Sequence, residues 1–206
     1  MATIVQVTLK TADALPANYL TNQFCIDGYD VGDGSLPAMV TAFEDFYSSL
    51  VSPLFSSWMV QNGHIIKFYT AGGPQPNYPY HETTFNLASA PSGTGLPTEV
   101  AVCLSFQALR IPGTPQARRR GRIYLGPLKA TVNSNQRPLA SAASAIVASA
   151  LVLHTDISAA FAGANWAVWS GLDGTAAVLD NCWVDDAFDT QRSRGQAPSS
   201  RTVGTF

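Results

Sequence analysis

A chain of 206 residues, 46% of them hydrophobic, is long enough to bury one sizeable core, and its length favours a single domain over two. Twelve Lys and Arg against fourteen Asp and Glu give a net charge of −2, which excludes the large basic excess of a protein that coats nucleic acid. Three widely spaced cysteines, Cys25, Cys103 and Cys182, exclude a disulfide framework and a Cys/His metal cluster and fit folding in a reducing compartment.

In chain order, residues 4–10 alternate, with Val5, Val7 and Leu9 on one side and Gln6, Thr8 and Lys10 on the other, the pattern of a half-buried strand. No basic stretch followed by an apolar block stands at the start, so no signal peptide is expected. Residues 19–26 predict a second strand, and Gly28 to Gly34 a turn. The period then changes. Leu36, Met39, Val40, Phe43, Phe46, Tyr47 and Leu50 recur at steps of three and four, the apolar face of a helix with Ser35 as N-cap and Pro53 forcing a break. A short further segment is expected through Phe55, Trp58 and Met59.

Residues 64–70 and 80–87 predict strands around a Gly/Pro loop, and 88–97 a second irregular loop. Residues 100–107 are apolar on both faces, as in a central covered strand. An arginine-rich loop over about 110–121 leads to a strand at Ile123, Tyr124 and Leu125, a hairpin with the arginines at its exposed tip. Pro138 opens the longest helix, whose stripe is Ala143, Ile146, Ala150, Leu153, Ile157 and Phe161, and Gly163 stops it. Its Ser interruptions mark a packed helix and not a membrane span. A hairpin is expected from 166–170 and 175–179 around Asp173-Gly174, then an extended piece with Trp183 and Val184.

The sum is an α+β fold: a mostly antiparallel sheet with two main helices on one face, the alternative being a β-sandwich with added helices. One domain would occupy 1–189. Residues 190–206, with almost no apolar side chains, would form an extended C-terminal arm that is disordered alone.

Charge is the strongest signal. Residues 1–109 balance to −6, 110–137 carry seven basic residues and no acid, 138–189 carry six acids and no base, and the tail adds Arg192, Arg194 and Arg201. Alternating blocks of this kind suit docking onto further copies or onto an acidic partner. Arg118, Arg119, Arg120 and Arg122 could bind phosphate, but guanidinium forks meeting Asp185, Asp186 and Asp189 across a subunit boundary explain the pattern better. The bland alternative is a solvated loop tip. Asp180, Asp185, Asp186 and Asp189 form the one acidic cluster and match no calcium-loop spacing, and no GxSxG, Walker or GxGxxG motif is present. His64, His81 and His154 have no second ligand at metal spacing, and the aromatics Trp58, Trp166, Trp169, Trp183, Tyr78 and Tyr80 read as core or interface before sugar or base stacking. Neither catalytic nor metal residues are expected, nor any cofactor.

The stretch from Pro91 to Leu128 carries Ser92-Gly93-Thr94, Leu96-Pro97-Thr98-Glu99-Val100-Ala101, Cys103-Leu104-Ser105-Phe106 and Pro115-Gln116-Ala117-Arg118-Arg119-Arg120-Gly121-Arg122-Ile123-Tyr124 with Gly126-Pro127. A second block runs from Trp183 to Arg192, with Arg194-Gly195 and Ala197-Pro198. These blocks resemble uncharacterised structural-type proteins of marine and environmental tailed bacteriophages. The resemblance implies a virion or assembly role and carries no activity. The expectation is a non-enzymatic virion protein, folded in the host bacterial cytoplasm, that forms a ring or lattice of copies and meets other virion proteins, with no membrane and only incidental nucleic acid. A neck or tail component of terminator or adaptor type comes first, a capsid or decoration protein next. A glycan-binding module and an enzyme using the acidic cluster are the remaining readings.

Overall fold

The computed structural model describes residues 2–12, 19–27, 34–71, 80–92, 102–108, 119–125, 140–161, 165–168, 179–186 and 203–205. They form strands β1 (Ala2–Lys10), β2 (Tyr19–Asp27), β3 (His64–Ala71), β4 (His81–Phe85), β5 (Val102–Ala108), β6 (Arg119–Leu125), β7 (Asn165–Val168), β8 (Leu179–Asp186) and β9 (Val203–Thr205), with helices α1 (Leu36–Ser49) and α2 (Ala140–Ala160). The fold is α+β, with antiparallel strands and two main helices. The strands are shared between two sheets, one of order β4-β3-β1-β2-β7 and one of order β6-β5-β8-β9.

The first sheet follows from the alternation in β1. Val5, Val7 and Leu9 are fully buried, while Ile4, Gln6 and Thr8 on the opposite parity keep part of their surface. Antiparallel register carries that inner face sideways, to Phe24 and Asn22 on β2 and to Phe68 and Ile66 on β3. α1 covers it: Phe43 stacks on Phe24 at 4.9 Å between ring centroids, and Tyr47 reaches Phe85 at 6.2 Å. The seven apolar positions expected on this helix are those that face the core, with Met39, Phe43, Phe46, Tyr47 and Leu50 buried and Leu36 and Val40 packed at the margin. Truncating Phe43 to Ala would cost about 3–5 kcal/mol in lost burial and cavity.

Ser35 does stand at the N-cap, though its side chain makes no capping bond to the first turn, where Pro37 already removes one donor. Gly34, with φ at 89°, turns the chain into the helix in the left-handed region that favours glycine. α1 closes at Ser49, before Pro53 can interfere, and Leu54 and Phe55 both donate to the Leu50 carbonyl as the chain tightens into turns. The segment through Phe55, Trp58 and Met59 is a series of turns rather than a regular element, with Phe55 and Met59 buried and Met59 bridged to Thr11.

α2 packs on α1 and against β8 and β9. Ile146, Ala150, Leu153 and Ile157 are buried as its spacing predicts, and Ala143 and Phe161 lie against the same core. Segment Ser141–Ala160 is long and apolar enough to cross a membrane by length and composition, but its apolar stripe is occupied by that core. Pro138 and Gly163, its expected boundaries, lie outside the described residues.

The hairpin expected from 166–170 and 175–179 around Asp173-Gly174 lies mostly outside the described residues; of its flanks, β7 pairs with β2 in the first sheet and β8 belongs to the second. Two expectations change. β6 begins at Arg119, so Arg119, Arg120 and Arg122 are strand residues and not a loop tip. The chain end is not wholly without structure, because Val203–Thr205 adds to β8 as β9.

Two buried polar groups tie the first sheet together. Asn22, 3% exposed, donates from Nδ2 to the Tyr47 hydroxyl at 3.1 Å. Burial pushes the Tyr47 phenol far up, with the Asn22 bond opposing it weakly, so it stays neutral. His64 bridges two backbone segments: Nδ1 accepts from the Lys10 N–H at 3.0 Å, and Nε2–H donates to the Val60 carbonyl at 3.0 Å. Burial holds His64 below the usual imidazole range, opposed by the Val60 bond and aided by Lys10.

Tyr47→Phe therefore strands the Asn22 amide in the core. It should lower stability by about 1–3 kcal/mol in urea unfolding, and a loss under about 0.5 kcal/mol would mean that Asn22 has another acceptor. His64 gives a pH prediction. The unfolded chain takes its proton near pH 6.5, while the folded chain must lose the Lys10 bond to do so. Stability is thus fully present above about pH 6.5 and falls as pH drops towards the lowered folded value, by at most about 1.4 kcal/mol per pH unit for this one proton. His64→Gln should flatten that slope between pH 7 and 5. An unchanged slope would assign it to other groups, His154 included, whose imidazole burial also holds low.

Candidate functional site

The second sheet carries the charged residues singled out in the sequence, and its register sorts them. β5 is central, with β6 on one side and β8 on the other. Leu104 pairs with Ile123 and Val184, and all three are buried. Cys182 and Leu125 share this parity and are buried too. This is the face towards the core, which these residues share with Ile146, Ala150, Leu153 and Ile157 of α2.

Directly paired residues of antiparallel strands lie on the same face, so the alternate positions define the other one. One row there is Tyr124, Cys103 and Asp185; the next is Arg122, Ser105, Trp183 and Val203; the last is Arg120, Gln107, Asn181 and Thr205. Two basic positions thus line the β6 edge and one acidic position lies across β5 from them, with Trp183 and Tyr124 between. Strand spacing and rise put the Cα atoms of Arg122 and Asp185 about 12 Å apart.

The same register separates residues that looked like pairs. Asp185 and Asp186 are neighbours in an extended strand and so sit on opposite faces, as do Arg119 and Arg120. Asp186 pairs with Val102 and Arg119 with Ala108, at the two ends of the sheet and on core parity. Arg120 and Arg122 are the two arginines brought together. Arg118, Asp189, Arg192, Arg194 and Arg201 lie outside the described residues. The sequence reading singled out the arginines but missed that positions 183 and 124 share their parity; residues 100–107 are apolar at both parities, so only the strand register assigns the faces.

Other titratable groups among the described residues make the following contacts. His64 is committed to Lys10 and Val60. His81 lies 6.0 Å from the Phe68 ring, and Lys67 pairs with Glu82 at 3.1 Å on the outer face of the first sheet. That ion pair is partly exposed and contributes little. Desolvation, then the neighbouring Asp45 charge, raises the Glu44 carboxyl on the margin of α1. Among the described residues no group of three or more His, Cys, Asp or Glu stands close enough to hold a metal ion. No protein-family model, no curated protein and no solved structure matches this chain.

Proposed function

We propose that this chain is a non-enzymatic structural component of a bacteriophage virion that works as a homo-oligomer, a neck or tail part of terminator or adaptor type before a capsid or decoration protein. The observation that carries the self-association is the register of β6 and β8, which gives Arg120, Arg122 and Asp185 one common face turned from the core. Basic positions at one side of a sheet and an acidic one at the other are self-complementary: a second copy related by a two-fold axis can set its acidic side over the basic side of the first. The virion assignment rests on the resemblance of the Pro91–Leu128 and Trp183–Pro198 blocks, and the scarcity of charge, 13% of residues, suits a surface covered by neighbours. The protein would fold in the bacterial host and reside in the particle, with other virion proteins as its further partners and no membrane or cofactor.

Trp183 and Tyr124 on the same face favour one other reading, a glycan-binding module of the virion surface, since two aromatic positions could stack on sugar rings. Retention on host glycans that is lost in Trp183→Ala would select it.

Light scattering at low and high salt tests the preferred reading. A defined oligomer that dissociates as salt rises is expected. Arg120→Glu with Arg122→Glu should weaken assembly at least tenfold and leave the circular dichroism spectrum unchanged, whereas Arg119→Glu, on the other parity, should have much less effect. Normal assembly of the double variant would remove this face as an interface.

A further inference from the structure

β1 changes partner at its C-terminal end. From Ala2 opposite Ala71 to Thr8 opposite Ile65 it pairs with β3 in one unbroken register. Beyond that the pairing passes to a different stretch of chain: Val60 donates its N–H to the Lys10 carbonyl at 3.3 Å, Thr11 bridges Met59, and Ala12 donates its N–H to the Trp58 carbonyl. These contacts set Lys10 opposite Val60, whereas the β3 register, continued, would set Lys10 opposite Gly63. Gln61, Asn62 and Gly63 are therefore looped out of the ladder, with Gly63 turning the chain at a φ of 81° in the left-handed region.

A hydrogen-bonded antiparallel pair exchanges two backbone bonds. Lys10 and Val60 make one of them directly, and the His64 ring stands in place of the other: the Lys10 N–H donates to Nδ1 at 3.0 Å and Nε2–H donates to the Val60 carbonyl at 3.0 Å. Only the neutral ring with its proton on Nε2 can complete the ladder in this way, because it must accept on one side and donate on the other; imidazolium has two donors and no acceptor. The described groups around the ring offer that charge no counterpart. On β1 the Lys10 ammonium has the same sign. On β4 the ring meets Phe85 at 5.2 Å, while His81 lies against Phe68 and Glu82, on the other parity, is held by Lys67. Tyr47 of α1 reaches the same Phe85 ring and is neutral, and Glu44 and Asp45 are not among the residues that α1 buries. Trp58, Met59 and Val60 carry no titratable group.

We propose that His64 is a proton-operated latch: its neutral ring fastens Trp58, Met59 and Val60 to the end of β1, and its protonation releases them while the rest of the first sheet stays paired. The release is local because of what remains on either side. Without the ring, the segment keeps two backbone bonds to β1, whereas β1 itself is held along its length by β2 and β3. The looped-out residues keep their ties to the chain after β4, where the Leu87 N–H donates to the Gln61 carbonyl at 2.8 Å and the Gly63 N–H to Asn86 Oδ1 at 3.0 Å, so the movable piece is residues 58–60. Met59, 2% exposed when the latch is closed, is uncovered when it opens. The device thus presents an apolar side chain below neutral pH and hides it above. It places the first break that acid makes in this sheet, and it is independent of the self-association reading.

Amide hydrogen exchange, corrected for the pH dependence of the exchange chemistry itself, reads local opening residue by residue. In the unaltered protein, opening at the Lys10, Ala12 and Val60 amides should rise by up to about tenfold per pH unit as pH falls below about 6.5, while Val5 and Ile66 in the body of the sheet open far less often. In His64→Gln the carboxamide supplies one acceptor and one donor and does not titrate, so protection at Lys10 and Val60 should be kept and its dependence on pH lost. Opening of Val5 and Ile66 together with Lys10 and Val60 overturns the latch, because the whole sheet then lets go at once. Opening at Lys10 that does not change with pH overturns it too, as does the same slope in His64→Gln. A second reading needs no variant. Nitrogen NMR of the unaltered protein should find the His64 ring neutral at neutral pH with its proton on Nε2, and its protonation should track the loss of protection at Lys10. A proton on Nδ1, or a titration that leaves the Lys10 amide unmoved, overturns the proposal.

Discussion

The seating of α1 on the first sheet is the constraint from which the rest of this structure follows. Phe43, Phe46 and Tyr47 are large, fully buried side chains on a helix of fourteen residues, and they pack into the core built on the inner face of β1, β2 and β3. That packing fixes the parity of β1, places Asn22 within reach of the Tyr47 hydroxyl, and puts α1 where α2 can lie across it. The Asn22–Tyr47 bond adds specificity to an otherwise apolar contact, because a one-residue slip of β2 would carry Asn22 to the opposite face and leave the buried Tyr47 hydroxyl without it. His64 acts in the same sense at the end of β1, binding Lys10 and Val60 with one neutral ring.

The second sheet shares one core with the first sheet and α2. Leu104, Ile123, Val184 and Cys182 belong to the same hydrophobic cluster as the aromatic residues of α1. Because their parity is fixed by burial, the parity of every other residue on β5, β6 and β8 is fixed as well. Positions 120, 122, 183 and 185 take the opposite parity. A charge block that looks undifferentiated in sequence is divided by the pleat into positions that share a face and positions that do not.

Much of the fold was legible along the chain. Alternation in β1, the three-and-four spacing of α1 and the stripe of α2 are local patterns written by burial, and each element forms where its pattern lies. The pairing of β7 with β2 was not legible, because it joins residues more than a hundred positions apart. The division of strands between two sheets has the same origin: strand patterns state that a face is buried but not which partner buries it.

Of the candidate face, the sequence by itself determined the ingredients: the run of arginines, the acidic stretch after Asp180, and the long polar connection before Val203. The tertiary structure alone decided their arrangement. It drew Arg119, Arg120 and Arg122 into a strand, separated Asp185 from Asp186, and returned Val203–Thr205 to the edge of β8. The reason is that a pleated strand has a period of two whose phase is set by whichever residues find a core, and for β5, β6 and β8 that core includes α2, an element remote in sequence from most of the positions it orients.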